Sequence, residues 1–458
     1  MTYLTRANAV LAYLALVLLL GGASAAGFNG NVLLQLLGAG LIGWTLWSDG
    51  RASPLHTGLR PFFLTLAVLA AVQFIPLPPG LWGHLPGRAA VLAGFDTLGV
   101  PAPWLTLSLA PWHSLASFAW WIPAGALFVA MRAADAPPIR HVVWMIVGVA
   151  AVSVAFGAVQ AGAGSAYFYA ITNEGEGPGF FANSNHQGSF LLAALALYGG
   201  WLITHLRASG RKVNWFTGER MVQGGIALLL LFGVAVSGSL ACVLLLVPVL
   251  GGLFFAARPD LRFPVPVVLA ALLLVIAGFA AFLVFGPAAN DLTTKGVVAG
   301  ISRQEFLVTG SRILRDFAPT GSGVGTFLEL YRWYEDPAIV STVFVNHAHD
   351  DLLELLIETG IFGLVAAAAF LLWYGPRAWS LWSGPRRNPI QLAASMVIGV
   401  ELVHSLVDYP LRTAAMSSVM AIACVLLVRP AESANGSSRR RSSYRQSGQD
   451  AAHDMIRI

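Results

Sequence analysis

The chain has 458 residues, of which 57% are hydrophobic and only 11% are charged. That composition is typical of a polytopic membrane protein rather than of a soluble enzyme. Both cysteines, Cys242 and Cys424, lie in apolar runs, which argues against a disulfide framework or a cysteine metal site. The net charge is +5. Most of the basic residues lie in loops on the predicted inner side of the membrane, so this charge does not require a nucleic-acid partner.

Apolar stretches of spanning length predict about twelve transmembrane helices. With the N-terminus inside and the connections alternating, most of the 27 basic residues fall on the inner side, so the positive-inside rule places both termini in the cytoplasm. We predict an all-α polytopic membrane protein with a single transmembrane domain, residues 1–430. The predicted spans are 7–26, 30–48, 60–76, 114–131, 141–162, 184–205, 221–237, 240–257, 264–286, 352–374, 390–407 and 413–428.

The N-terminal segment has two interpretations. Arg6, a short apolar core and the run Ala23-Ser24-Ala25 are also found in cleaved signal peptides. We favour a retained helix, because the apolar run continues directly into the second span. At the other end, residues 431–458 are rich in Ser, Arg and Gly and are predicted to form a disordered cytoplasmic tail.

Two outer loops precede the long one. Residues 77–113 are rich in Pro, Gly and Trp and nearly free of charge, which favours a loop packed at the membrane interface. Residues 163–183 lead to Asn183, Asn185 and His186 at the mouth of the sixth predicted helix. These three side chains can cap that helix, or they can offer hydrogen bonds to a polyhydroxylated ligand.

The longest outer loop, residues 287–350, is predicted to be partly helical. It carries arginines that are unusual on this side of the membrane, including Arg303, Arg312 and Arg315. The guanidinium group matches phosphate oxygens, although each arginine could also pair with the loop's own carboxylates. Gly321 and Gly323 follow in an alternating glycine segment, which is a weak signal for anion contact and a stronger one for a tight connection.

Ionisable residues crowd the end of this loop. His347, His349, Asp350, Asp351 and Glu354 fall within eight residues, and Glu358 follows one turn later. The Asp351–Glu354 spacing predicts a capping box at a helix start. Glu354 and Glu358 form a like-charge pair, so a neutralising cation must come from elsewhere in the chain. The cluster could simply be an acidic helix start at the headgroups.

A more specific interpretation is a catalytic edge. Arg303 and Arg312 could grip a diphosphate, and His349 could take a proton from an attacking hydroxyl. Together they outline glycosyl transfer from a lipid diphosphate. A zinc or manganese site of His347, His349, Asp350 and Asp351 is the competing chemistry. It is disfavoured because the His-x-His pair abuts a helix start.

These motifs resemble the O-antigen ligase and O-antigen polymerase superfamily of bacterial envelope proteins. The resemblance rests on HDDLLELLIETGIFG, on SRQEFLVTGSRILRDFAPTGSGVGTF and on FFANSNHQGSFLL. Two positions depart from the family pattern. Leu240 stands where an arginine is frequent, and Asp350 stands where an asparagine is frequent.

The resemblance implies a metal-independent, inverting glycosyltransferase without a cofactor, with its active site on the periplasmic face of the inner membrane. The donor would be an undecaprenyl-diphosphate-linked glycan and the acceptor a glycan or lipid A core, in O-antigen or exopolysaccharide synthesis. Membrane lipid and a chain-length regulator are further expected partners. The essential residues would be Arg303, Arg312 and His349. The expected substrate contacts are Arg315, His347, Asp350, Glu354, Glu358, Asn183, Asn185, His186, Gly321 and Gly323.

Two other functions remain open at this stage. A transporter or flippase of lipid-linked glycans would place charges deep in its helix bundle, and Glu401 and His404 lie within the eleventh predicted span. A non-catalytic partner in envelope assembly is the other alternative.

Overall fold

The computed structural model is built almost entirely of α-helices. It describes residues 5–24, 29–49, 60–133, 135–209, 216–258, 260–261, 294–338, 340, 345–384 and 387–429. The predicted span 264–286 and the predicted tail 431–458 therefore lie outside the described residues. The helices are α1 Arg6–Leu20, α2 Asn29–Asp49, α3 Arg60–Gln73, α4 Pro79–Trp82, α5 Ala89–Leu98, α6 Pro111–Ala119, α7 Trp121–Ala130, α8 Ile139–Ala163, α9 Ser184–Ser209, α10 Gly218–Val236, α11 Leu240–Ala257, α12 Thr294–Phe317, α13 Phe327–Tyr334, α14 Asp351–Thr359, α15 Ile361–Ser383, α16 Pro389–His404 and α17 Ala414–Val428.

Seven helical segments among the described residues are long and apolar enough to cross a membrane. They confirm the class of protein, an α-helical multi-pass membrane protein, but not the predicted number of spans. Five further helices, Arg6–Leu20, Leu64–Gln73, Ala89–Leu98, Pro389–His404 and Ala414–Val428, are apolar but shorter. The spanning segments are Asn29–Ser48, Pro111–Ala130, Ile139–Ala163, Ser184–Ser209, Gly218–Val236, Leu240–Ala257 and Ile361–Ser383.

The predicted span 352–374 is wrong in one respect, because the structure divides it. Helix α14 ends at Thr359 and α15 begins at Ile361, with Gly360 between them at φ +56° and ψ −136°. That conformation is almost restricted to glycine. As a result, the acidic helix α14 is separate from α15, and it packs against α12 through Leu353 and Ile357.

The first outer loop is more structured than predicted. Strands β1, Pro76–Leu77, and β2, Leu105–Thr106, form a short antiparallel ribbon that closes the loop around α4 and α5. Ser108 follows β2 and packs against Gly323, and Leu109 N–H donates to the Ser322 carbonyl at 2.9 Å. The loop therefore packs on the glycine segment that follows α12.

Several helix ends meet at one end of the bundle. Asp351 N–H donates to the Ser405 carbonyl at 2.8 Å, joining the start of α14 to the end of α16. Ala415 N–H donates to Gly21 O at 3.0 Å, and Ala182 N–H donates to Gly22 O at 3.1 Å. Hydrogen bonds thus join the end of α1 to the starts of α9 and α17, and the start of α14 to the turn after α16.

The chain divides into two compact units, Met1–Leu427 and Val428–Ile458. The second unit is described only for Val428 and Arg429. The predicted boundary at residue 430 stays a prediction.

Candidate functional site

Asp408 is a buried carboxylate on which several polar side chains of the site converge. It lies in the turn after α16 and is almost fully buried, with 1% of its surface exposed. Its Oδ1 lies 3.5 Å from Nε2 of His186 and 3.5 Å from Nδ1 of His349. Asn185 Nδ2 donates to Oδ2 at 2.5 Å and Asn183 Nδ2 donates to Oδ1 at 3.4 Å. The asparagines and histidine at the start of α9 therefore converge with His349 on one carboxylate.

The two imidazoles also set the charge of this carboxylate. Burial alone would raise the pKa of Asp408, but His186 and His349 outweigh burial and hold that pKa well below its usual range. Asp408 is consequently an anion at any physiological pH.

Tyr409 supplies an aromatic surface beside this carboxylate. Its ring centroid lies 4.8 Å from that of His186, 4.5 Å from that of His347 and 4.8 Å from that of His349. Its hydroxyl donates to Asn346 Oδ1 at 3.3 Å. One buried tyrosine thus contacts all three histidines of the site.

His349 combines a fixed orientation with access to solvent. Its backbone adopts φ +52°, which is uncommon for a residue other than glycine. Its ring stacks on Phe306 of α12, with centroids 5.3 Å apart and planes inclined by 8°. Nδ1 faces Asp408 Oδ1 at 3.5 Å without forming a hydrogen bond, and 25% of the side chain is exposed. Nε2 is the ring nitrogen that does not face Asp408.

Arg412 supplies the cation that the acidic helix requires. Its Nε lies 3.0 Å from Asp351 Oδ1, and its Nη1 lies 2.9 Å from Glu354 Oε1 and 3.5 Å from Glu358 Oε2. Ser405 Oγ donates to the other oxygen of Asp351 at 2.8 Å. A short 3₁₀ turn, Pro410–Arg412, presents the guanidinium to these three carboxylates of α14.

The three carboxylates respond differently to one guanidinium. Burial raises the pKa of Asp351 to about 6 and that of Glu358 to about 7, even though Arg412 opposes the shift. For Glu354, burial is outweighed by Arg412 and His347, and the pKa falls to about 2. Glu354 is therefore the firmly ionised member, while Glu358 is the one most readily protonated.

Glu354 also joins the arginine to the histidines. Its Oε1 lies 2.9 Å from Nδ1 of His347, and its Oε2 accepts from Ala348 N–H at 2.8 Å. Nε2 of His347 lies 3.3 Å from the Ser24 carbonyl, and Asn346 Nδ2 donates to Ser24 Oγ at 3.1 Å. Ser24 follows α1, so the N-terminal helix takes part in the site.

The histidine and glutamate motifs lie within a stretch that resembles a known family. Residues 225–368 match the family model described as O-antigen ligase. The match supports the O-antigen ligase and polymerase superfamily. It confirms the resemblance seen in the motifs, and it includes His349 and all three acidic residues of α14. No curated protein sequence matches the chain.

Within the matched stretch, the predicted capping box is wrong. Asp350, not Asp351, is the N-cap of α14, and its Oδ1 accepts from Leu352 N–H at 2.9 Å and Leu353 N–H at 3.0 Å. Glu354 does not return to the cap, because it is engaged by Arg412, His347 and Ala348. Asp350 thus has a structural use, and its contact with substrate stays a prediction.

The glycine segment also has a structural use. Gly321 and Gly323 are buried and adopt φ +79° and +121°. Gly323 N–H donates to the Glu358 carbonyl at 2.8 Å, and Gly325 N–H donates to Glu358 Oε1 at 2.8 Å. A Cβ at Gly321 would overlap the backbone of Glu358. The glycines let this segment lie against α14, and their contact with substrate stays a prediction.

The predicted arginines are not brought to His349 by any described contact. Arg312 is exposed on α12, and it follows Phe306, the residue that touches His349, by about one and two-thirds helical turns. Arg315 is also exposed, and its Nε donates to the Ser311 carbonyl at 3.3 Å. Arg303 belongs to α12, but its side chain lies outside the described residues.

The prediction from sequence missed Asp408, Tyr409 and Arg412. All three lie in the segment DYPLR between the last two predicted spans. The available signal was Arg412, because it is one of the few basic residues that the predicted topology leaves on the outer side. The acidic helix required a cation, and that outer arginine was a candidate for it.

Proposed function

We propose that this protein is a membrane glycosyltransferase of the O-antigen ligase and polymerase type. It takes a glycan from an undecaprenyl-diphosphate donor at the periplasmic face of the inner membrane and either polymerises it or joins it to an acceptor such as lipid A core. The observation that carries the proposal is the position of His349, whose Nδ1 lies 3.5 Å from the buried carboxylate of Asp408 while 25% of the side chain remains exposed. The family match over residues 225–368 supports the same reaction class.

The geometry supports general-base catalysis by His349. Asp408 favours the tautomer with hydrogen on Nδ1, so that Nε2 presents a lone pair. In the proposed step, Nε2 takes the proton of the acceptor hydroxyl while its oxygen forms a bond to the anomeric carbon. The bond between that carbon and the diphosphate oxygen breaks, and the diphosphate leaves with the electron pair. Attack opposite the leaving group inverts the anomeric centre, and the step requires no metal.

The charges around the base set a requirement for donor binding. Asp408 and the carboxylates of α14 make the site acidic, whereas the departing diphosphate is an anion. Arg412 is already engaged by three carboxylates, although 22% of its side chain remains exposed. Arg312 is exposed and has no partner among the described residues, so it remains a proposed diphosphate contact, as does Arg303 on the same helix.

The polar side chains at the start of α9 are placed to bind the glycan. Asn183, Asn185 and His186 reach Asp408, and the amides of both asparagines donate to it. Asn185 lies partly exposed beside the base. We propose that these side chains orient the acceptor through hydrogen bonds to its hydroxyl groups.

Purified protein in proteoliposomes tests the proposal directly. With an undecaprenyl-diphosphate-linked glycan and an acceptor, the wild-type protein forms new glycosidic bonds. We expect His349→Ala to abolish transfer, and Asp408→Asn to lower it by about 100-fold or more, because general-base catalysis typically contributes that much.

The matched control is His84→Ala, which removes an exposed histidine from the first outer loop and should leave transfer unchanged. Wild-type activity in His349→Ala contradicts the mechanism. Translocation of donor without new glycosidic bonds would instead favour the transporter alternative.

A further inference from the structure

His347 differs from His349 in that both of its ring nitrogens face acceptors. Nδ1 lies 2.9 Å from Glu354 Oε1, and Nε2 lies 3.3 Å from the Ser24 carbonyl oxygen. The side chain is held between α14 and the end of α1, with 14% of its surface exposed.

Neither acceptor can donate a hydrogen bond in return. A backbone carbonyl is an acceptor only. Glu354 receives Arg412 Nη1 on one oxygen and Ala348 N–H on the other, so its carboxylate is ionised and also acts only as an acceptor. A neutral imidazole would turn a nitrogen lone pair towards one of these oxygens. Hydrogen on both nitrogens satisfies both contacts.

The surrounding charges agree with a cation at this position. The groups that face His347 are the carboxylate of Glu354 from α14, the guanidinium of Arg412 beyond that carboxylate, and the ring of Tyr409. Asp351 and Glu358 add negative charge to the same cluster through Arg412. Asp351 and Glu354 against one arginine already leave an excess of negative charge, to which Glu358 adds when it is ionised, and one imidazolium reduces this excess.

We propose that His347 is held as an imidazolium and that its Nε2–H is a contact for the diphosphate of the donor. The inference rests on the proposed function and adds a second histidine role to it. His349 acts as the base, and His347 supplies a positive charge for the leaving group.

The weak contact to Ser24 makes this role feasible. At 3.3 Å it is the longer of the two contacts of His347 and is near the limit for a hydrogen bond. A phosphate oxygen is a stronger acceptor for a charged donor than a carbonyl oxygen is. Because His347 and His349 both contact the ring of Tyr409, a donor that reaches one histidine lies close to the other.

Nitrogen NMR of protein labelled with ¹⁵N-histidine tests the charge state at pH 7. The resonance pair that disappears in His347→Gln is assigned to His347, and we expect it to report hydrogen on both nitrogens. A single protonated nitrogen would overturn the inference. Should the glutamine variant fail to fold, His347→Asn gives the same assignment.

The diphosphate contact is tested by measuring the binding of undecaprenyl diphosphate. Phosphatidylglycerol is added as a competitor, because it distinguishes recognition of the diphosphate from general attraction to anionic lipid. We expect His347→Gln to weaken binding by about tenfold or more, as for loss of a charge-assisted hydrogen bond, and His347→Arg to lose less. Unchanged affinity in His347→Gln contradicts the inference. Transfer by the wild-type protein is measured separately, so that loss of this inference does not decide the proposed function.

Discussion

Arg412 shows how one residue determines whether an acidic cluster is stable. The sequence predicted the excess negative charge of Glu354 and Glu358 and the need for a cation, but not which cation. Asp351 and Glu358 are separated from Arg412 by 61 and 54 residues. No local pattern encodes a contact at that distance, because the packing of α14 against the turn after α16 creates it. Asp408 and Tyr409 escaped prediction for the same reason.

Arg412→Gln is expected to destabilise the protein by about 3 kcal/mol, because it leaves carboxylates buried without their cation. Arg412 and His347 together outweigh burial and lower the pKa of Glu354 to about 2, so the contribution of Arg412 through Glu354 is complete above about pH 4.5 and is lost as pH falls towards 2. Thermal unfolding in detergent should therefore show a full deficit at pH 7 and a smaller one at pH 3.5.

A surface arginine provides the comparison. Arg332 pairs with Glu329 at 3.6 Å, and both side chains are about half exposed. Arg332→Gln should change stability by less than about 1 kcal/mol. Equal effects of the two substitutions would contradict a special role for Arg412.

The acidic helix α14 illustrates what hydrophobic pattern can and cannot predict about an element. The apolar run after Glu358 correctly indicated a membrane helix, and the acidic residues correctly indicated a helix start. The pattern did not indicate the break at Gly360, because a single glycine inside an apolar run is compatible with a continuous helix. At the break, the Pro319 carbonyl, from a distant part of the chain, accepts from Ile361 N–H at 2.9 Å.

Gly360→Ala should destabilise the junction by about 1–3 kcal/mol, because an alanine there has an unfavourable backbone conformation. Its Cβ would also overlap the Pro319 carbonyl, so we expect the cost at the upper end of that range and reduced transfer. The measurement is thermal unfolding together with glycosyl transfer.

Gly375→Ala is the matched control within α15. No atom lies within 4 Å of a Cβ at that position, and alanine favours a helix interior over glycine by about 0.5–1 kcal/mol. We expect unchanged or slightly higher stability. A destabilisation of similar size in both variants would show that the conformation of Gly360 is not what matters.

At the scale of the whole molecule, composition and charge correctly predicted an α-helical multi-pass membrane protein. They could not fix the number of spans, because helices such as α1, α16 and α17 are apolar but shorter than a typical crossing. Length alone does not distinguish a tilted or shielded span from a buried helix. The side on which each loop lies also stays a prediction.

Cysteine labelling in intact cells tests that orientation. Thr97 is exposed in α5, on the loop that packs beside the site, and Ser209 is exposed at the far end of α9. We expect Thr97→Cys to react with a membrane-impermeant maleimide in spheroplasts and Ser209→Cys to react only after permeabilisation. The natural cysteines, Cys242 and Cys424, are buried and free, so they give little background. The reverse labelling pattern would place the site in the cytoplasm.

The site draws residues from both ends of the sequence, from Ser24 after α1 to Arg412 before α17. A ribosome synthesises these residues nearly four hundred codons apart. Until the turn after α16 has been translated and inserted, the growing polypeptide lacks the carboxylate of Asp408, which faces His349, and the guanidinium of Arg412, which pairs with the carboxylates of α14. Formation of this cluster is thereby coupled to synthesis of the turn after α16, and a polypeptide released before that point carries an acidic helix without its counter-ion.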